Sequence, residues 1–156
     1  NFKDTSKISI LIDGNKKFNS DTKTYKFNET GEHSVKYQIF SDLNMDYMFS
    51  NISSLIRLEM ISTKKAKITS MKSSFENCID MNDFEIKGFD TSEVKSMNKL
   101  FYKNNAVFLK LNDLNTNSVE DMSYMFANCG TNNLDLNYFN TSTNLSILIA
   151  SCFNVF

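Results

Sequence analysis

The chain has 156 residues, a formal charge of -1, a sequence pI near 5.8 and 41% apolar residues. That is one or two domains with enough apolar material for a core, and too much for a disordered chain. The near-neutral balance gives no electrostatic reason to meet nucleic acid or an anionic membrane, and no apolar run reaches the roughly 18 residues of a membrane-spanning helix.

The first forty residues alternate without repeating. Ile8, Ile10 and Ile12 are followed by Asp13-Gly14, Tyr25 and Phe27 by Glu29-Thr30-Gly31, and then come Val35, Tyr37 and Ile39. Period-two patterning bounded by turn residues predicts a three-stranded antiparallel β-meander. Residues 1–42 are expected to form an N-terminal cap or small β-module, with no Gly/Ser/Pro linker between Phe40 and Met45.

From residue 43 a phrase recurs. Val94-Met97-Leu100-Phe101 returns as Val119-Met122-Met125-Phe126, with a worn copy at Ile68-Met71-Ser74-Phe75 and the end of another at Met45-Met48-Phe49. The phenylalanines Phe49, Phe75, Phe101 and Phe126 are evenly spaced to within a single position. A fixed period of this size predicts stacked units that share one core, none of which is stable alone.

Each period opens on an alternating stretch: Leu58-x-Met60, Phe84-x-Ile86, Leu109-x-Leu111 and Leu134-x-Leu136. This predicts a strand buried on one face. Polar turns follow, Asp90-Thr91-Ser92 among them. Then come apolar positions at i, i+3, i+6 and i+7, as in Val119, Met122, Met125 and Phe126, which predict a short amphipathic helix. Ser118 with Asp121, and Ser92 one period earlier, read as its caps. The expected fold is an α/β solenoid over 43–156. The copy at Leu145, Leu148, Ile149 and Cys152 is damaged, and Phe153-Val155-Phe156 breaks off inside a phrase. With Asn1 in place of an initiator methionine, the chain is expected to be a piece of a longer, processed protein.

Cys78 and Cys129 fall at the same inward position two units apart, roughly 10 Å at strand spacing and beyond disulfide reach. Cys129 and Cys152 sit on neighbouring units, where a bridge is geometrically open; small buried thiols are the favoured reading. No zinc-ligand spacing, glycine-rich phosphate loop or nucleophile motif is present, so no catalytic, cofactor or metal residue is expected. His33, the single histidine, is assigned a surface or packing role. Asn28, Asn51, Asn140 and Asn144 open Asn-x-Ser/Thr sequons, which become sites only along a eukaryotic secretory route.

The outward strand positions remain. Glu59, Glu85, Lys110 and Asp135 should form one column, and Arg57, Asp83, Phe108 and Asn133 its neighbour. This strand face is the candidate partner-binding surface. Phe108 is its one bulky apolar member.

Phe126-Ala127-Asn128-Cys129, Leu134-Asp135-Leu136 with Phe139-Asn140-Thr141-Ser142, and Val119 to Phe126 together resemble the BspA-like leucine-rich-repeat surface proteins. The likeness is to the Met-Phe-rich variant of mycoplasma and protist surface proteins, and it covers about residues 43–152. It implies a leucine-rich-repeat-like solenoid, an extracellular or cell-surface location, and a non-enzymatic scaffold. Its expected role is adhesion or other binding to a protein or glycan, with self-association or a structural place in a filament, coat or matrix as the alternative. It brings no catalytic residue and no cofactor. Thr63, Ser74, Asn104 and Asn144 depart from the repeat pattern.

Overall fold

A computed structural model of the chain describes residues 8–14, 16–18, 27–39, 41–62, 64–106, 108–130 and 134–140. Its contacts divide into two units, Asn1–Ser41 and Asp42–Phe156.

The first unit is an antiparallel sheet of β1 (Ile8–Ile12), β2 (Lys16–Phe18) and β3 (Val35–Ile39) in the order β2-β1-β3. Asp13 and Gly14 take positive φ of 48° and 73°, which closes a hairpin directly onto β2 and pairs Ile12 with Lys16. β3 then returns along the other edge of β1, Ile12 facing Val35. The predicted meander is thus reordered. The partner on one edge of β1 is Lys16–Phe18; of the strand expected at Tyr25 and Phe27, Phe27 lies outside any strand and Tyr25 lies outside the described residues.

In the second unit β4 (Leu43–Asn44) pairs in parallel with β6 (Ile68–Ser70). A separate parallel sheet runs β5 (Arg57–Ile61), β7 (Asp83–Lys87), β8 (Phe108–Lys110). Its register keeps the sequence period, Leu58 opposite Phe84 opposite Leu109. Gly88 follows β7 at φ 69°, and a Cβ there would stand 2.3 Å from the Ser62 carbonyl oxygen, so the close approach of neighbouring units excludes any other residue.

The expected α/β, leucine-rich-repeat-like solenoid is corrected. Among the described residues there is no helix, only eight short strands in three small sheets. The segments 46–51, 72–77, 98–103 and 123–128 are continuous runs of turns. Their hydrogen bonding gives the reason. The N–H groups of Met45, Tyr47, Phe49 and Asn51 donate across to the carbonyls of Ser70, Lys72, Ser74 and Glu76, while those of Met48, Ser50 and Ile52 donate three residues back, to Met45, Tyr47 and Phe49. The same alternation recurs from Met71 and from Met97. An α-helix needs every N–H to reach four residues back along one backbone trend. Here every fourth residue is left-handed: Tyr47, Asn51, Ser73, Asn77, Lys99, Lys103, Tyr124 and Asn128 have φ between 52° and 63°. L-residues do not continue a right-handed helix through such positions.

The expected caps change role accordingly. Ser92 donates through its N–H and hydroxyl to Asp90 Oδ1, and Ser123, not Ser118, does the same to Asp121. These are side-chain-closed turns.

The core is a column of rings. Phe49 and Phe75 stack at 5.5 Å between centroids, Phe75 and Phe101 at 5.4 Å, and Phe101 and Phe126 at 5.7 Å. Phe84 of β7 packs against both Phe75 and Phe101, tilted to the first at 4.9 Å and edge-on to the second at 5.2 Å. Met45, Met71, Met97, Leu100 and Met125 fill in around them, all fully buried.

Two of the departures from the repeat are accommodated by hydrogen bonds. Buried Ser74 has its hydroxyl 2.9 Å from the Met45 carbonyl oxygen and 2.8 Å from that of Met71. Buried Asn104 donates to the Phe75 carbonyl and accepts from the Ala106 N–H. Leaving either unpartnered would cost about 1–3 kcal/mol. Thr63, Asn144 and the damaged last copy, with Cys152 and Phe153-Val155-Phe156, lie outside the described residues.

Candidate partner-binding strand face

In β5 the exposure pattern alternates strictly. Leu58 and Met60 are buried, while Arg57, Glu59 and Ile61 are exposed. In β7 Phe84 and Ile86 are buried, Phe84 against the phenylalanine column, leaving Asp83, Glu85 and Lys87 outside. In β8 Phe108 and Lys110 are exposed and Leu109 is half-buried. Because the inward side chains lock onto the ring stack, strand parity leaves the outward set no freedom to change face.

Six of the eight candidate residues come together. Arg57, Asp83 and Phe108 stand opposite one another across the sheet, and Glu59, Glu85 and Lys110 form the adjacent column. Asp135 is not delivered to this ladder. It is exposed, lies outside any strand, and accepts a hydrogen bond from the Asn137 N–H. Asn133 lies outside the described residues.

Five of the six charges on the face are paired with each other. Both Nε and Nη2 of Arg57 donate to Asp83 Oδ2, at 2.9 and 2.6 Å. Glu85 Oε1 takes Lys87 at 2.8 Å and Lys110 at 3.3 Å. The hydrogen bond from Lys87, with further help from Lys110, holds the Glu85 carboxyl below its ordinary value, and the same bond raises Lys87. Arg57, Lys87 and Lys110 balance Glu59, Asp83 and Glu85, so the face is neutral. Exposed pairs of this kind add little stability, on the order of 0–1 kcal/mol each. They organise the surface more than they hold the fold.

Phe108 interrupts this grid. At 65% exposure it is the most exposed large apolar side chain among the described residues. Lys87 was missed by the sequence reading, although two residues beyond Glu85 on one strand is by parity the same face.

A second regularity was also missed. Tyr47, Ser73, Lys99 and Tyr124 form one left-handed column of the turn runs, and Asn51, Asn77, Lys103 and Asn128 form another. Lys99 and Lys103 lie over the Tyr102 ring at 5.3 and 5.4 Å. Asn is the residue type that favours this backbone, so the second column carried a sequence signal; Tyr and Lys in the first carried none.

Cys78 and Cys129 are both buried, and burial pushes the Cys78 thiol up to about 11, with its Sγ 3.1 Å from the Phe49 carbonyl oxygen. Among the described residues no group of His, Cys, Asp and Glu is arranged to bind a metal ion, and no helix is long and apolar enough to cross a membrane.

Among the described residues the architecture is all-β, with repeating units in the second unit joined by parallel pairing and one aromatic core. The chain belongs to the family described as Mycoplasma protein of unknown function, DUF285, whose model matches residues 43–154. The expected kinship is met at the level of this mycoplasma family and not at that of a BspA-like leucine-rich-repeat protein. No curated protein and no solved structure matches the chain.

Proposed function

We propose that the protein is a non-enzymatic, surface-displayed scaffold that binds a protein or glycan partner through the outward face of β5, β7 and β8. The observation carrying this is Phe108 at 65% exposure beside a charge-compensated grid. Buried aromatic anchors in otherwise polar, preorganised patches dominate binding energetics. A neutral face gives little long-range steering, so the partner is selected by contact and shape and not by net charge. The resemblance to BspA-like surface proteins supports an extracellular location.

The test is binding of the purified chain to immobilised extracellular-matrix proteins and to a glycan array, alongside Phe108→Ala combined with Lys110→Glu. Loss of a wild-type signal in the double variant supports the strand face. Binding that persists unchanged removes it. The competing role, a structural subunit of a filament, coat or matrix, predicts instead that the natural material is polymeric on direct imaging and that the panel stays silent.

A further inference from the structure

His33 is held in the first unit by contacts from two segments. Its Nδ1 lies 3.0 Å from Asp13 Oδ2, in the β1–β2 turn, and its Nε2 lies 3.0 Å from the Glu29 carbonyl oxygen. The ring stacks on Phe27 at 3.9 Å, 17° from parallel. Asp13 is tied to the same place a second way: its Oδ1 accepts the Ser34 N–H at 2.8 Å, and its own N–H donates to the Ser34 carbonyl. Both ring nitrogens therefore face acceptors. A neutral imidazole has one N–H and can satisfy only one of them; the imidazolium satisfies both.

We propose that His33, Asp13 and the Glu29 carbonyl form a pH-sensitive clasp that fastens the β1–β2 turn to the 27–34 segment while the imidazole is protonated and slackens when it is not. The charged groups facing the ring favour the closed form. They are the Asp13 carboxylate from the turn and the Glu29 carboxylate from the ring's own segment; Glu32 and Lys36 flank it in the chain. The hydrogen bond to the Glu29 carbonyl, then that to Asp13, raises His33 above its ordinary 6.5. The Ser34 N–H, then His33, lowers Asp13 below 3.8. The signs give the window. A raised histidine contributes fully below 6.5 and loses its contribution as pH rises through the folded value. A lowered carboxyl contributes above 3.8 and loses it as pH falls through its own folded value. The clasp is closed across mildly acidic pH and opens on the alkaline side.

The chain has one histidine, so its ring signals are unambiguous in an NMR pH titration of the whole protein. The expected midpoint lies above 6.5, with both ring nitrogens protonated below it and the Ser34 amide shift moving with the same midpoint. Asp13→Asn should lower that midpoint. A wild-type midpoint at or below 6.5, a Ser34 amide that does not follow the ring, or a midpoint unmoved by Asp13→Asn in the folded variant each overturns the clasp. If Asp13→Asn does not fold, the wild-type midpoint and the Ser34 amide decide the matter alone.

Discussion

The rings of Phe101 and Phe126, one period apart in the chain, lie 5.7 Å apart with planes only 4° from parallel. That contact converts a sequence period into a physical column. Each ring is fully buried, and each carries the backbone of its own turn run against the next.

Phe101 has a ring on either side and Phe84 against its edge. Phe101→Ala removes all three contacts and leaves a cavity that flanking units cannot close. The expected loss is about 3–5 kcal/mol, read by denaturant unfolding. Phe108→Ala, further along the chain and largely in solvent, should stay within about 0.5 kcal/mol. Equal losses at the two positions would mean that the ring column is not the core.

Lys103 separates a turn run from a helix by the sign of one mutation. It sits at φ 54°, in the column otherwise occupied by Asn51, Asn77 and Asn128. Asn tolerates the left-handed region better than Lys, where the strain is roughly 1–2 kcal/mol. Losing the amine over the Tyr102 ring forfeits about 0.5 kcal/mol. Lys103→Asn should therefore be neutral or stabilising by up to about 1 kcal/mol in thermal or chemical unfolding. In a helix the same change would destabilise, because Asn is the poorer helix former.

Cys78 should resist alkylation in the native protein at pH 8. Its thiol is buried and pushed up to about 11, so the reactive thiolate is scarce. Peptide mapping by mass spectrometry after a thiol reagent should find Cys78 labelled only once denaturant is added. Rapid native labelling would contradict the packing around Phe49 and Phe75.

Glu85 is held down chiefly by Lys87. Lys87→Gln should raise the Glu85 titration toward 4.5 further than Lys110→Gln does, as followed by carboxyl NMR. In the wild type, the stabilisation is present above 4.5 and is lost as pH falls through the lowered value. The Lys87 contribution persists below 10.5 and is lost as pH rises through the raised one. High salt should weaken both responses, since these groups are solvent-facing.

The strand face was legible in the chain because parity is a local property: if Leu58, Met60, Phe84 and Ile86 go in, then Arg57, Glu59, Asp83 and Glu85 must come out. The spacing of Phe49, Phe75, Phe101 and Phe126 likewise predicted which residues would meet. The conformation between them was not legible. Apolar residues at i, i+3, i+6 and i+7 suit a short helix and suit equally a run of turns with every fourth residue left-handed.

What the sequence by itself determined is the period and, along β5, β7 and β8, which side chains face in and which face out. Only the tertiary structure decided that the turn runs are not helices, that β2 lies at Lys16–Phe18, and that Asp135 stays off the ladder. The reason is that a backbone N–H can bond to a carbonyl just behind it in the chain, or to one a whole period further on, at similar energy. Which one it takes depends on the chain already lying beside it, and residue type at Tyr47 or Lys99 carries no record of that neighbour.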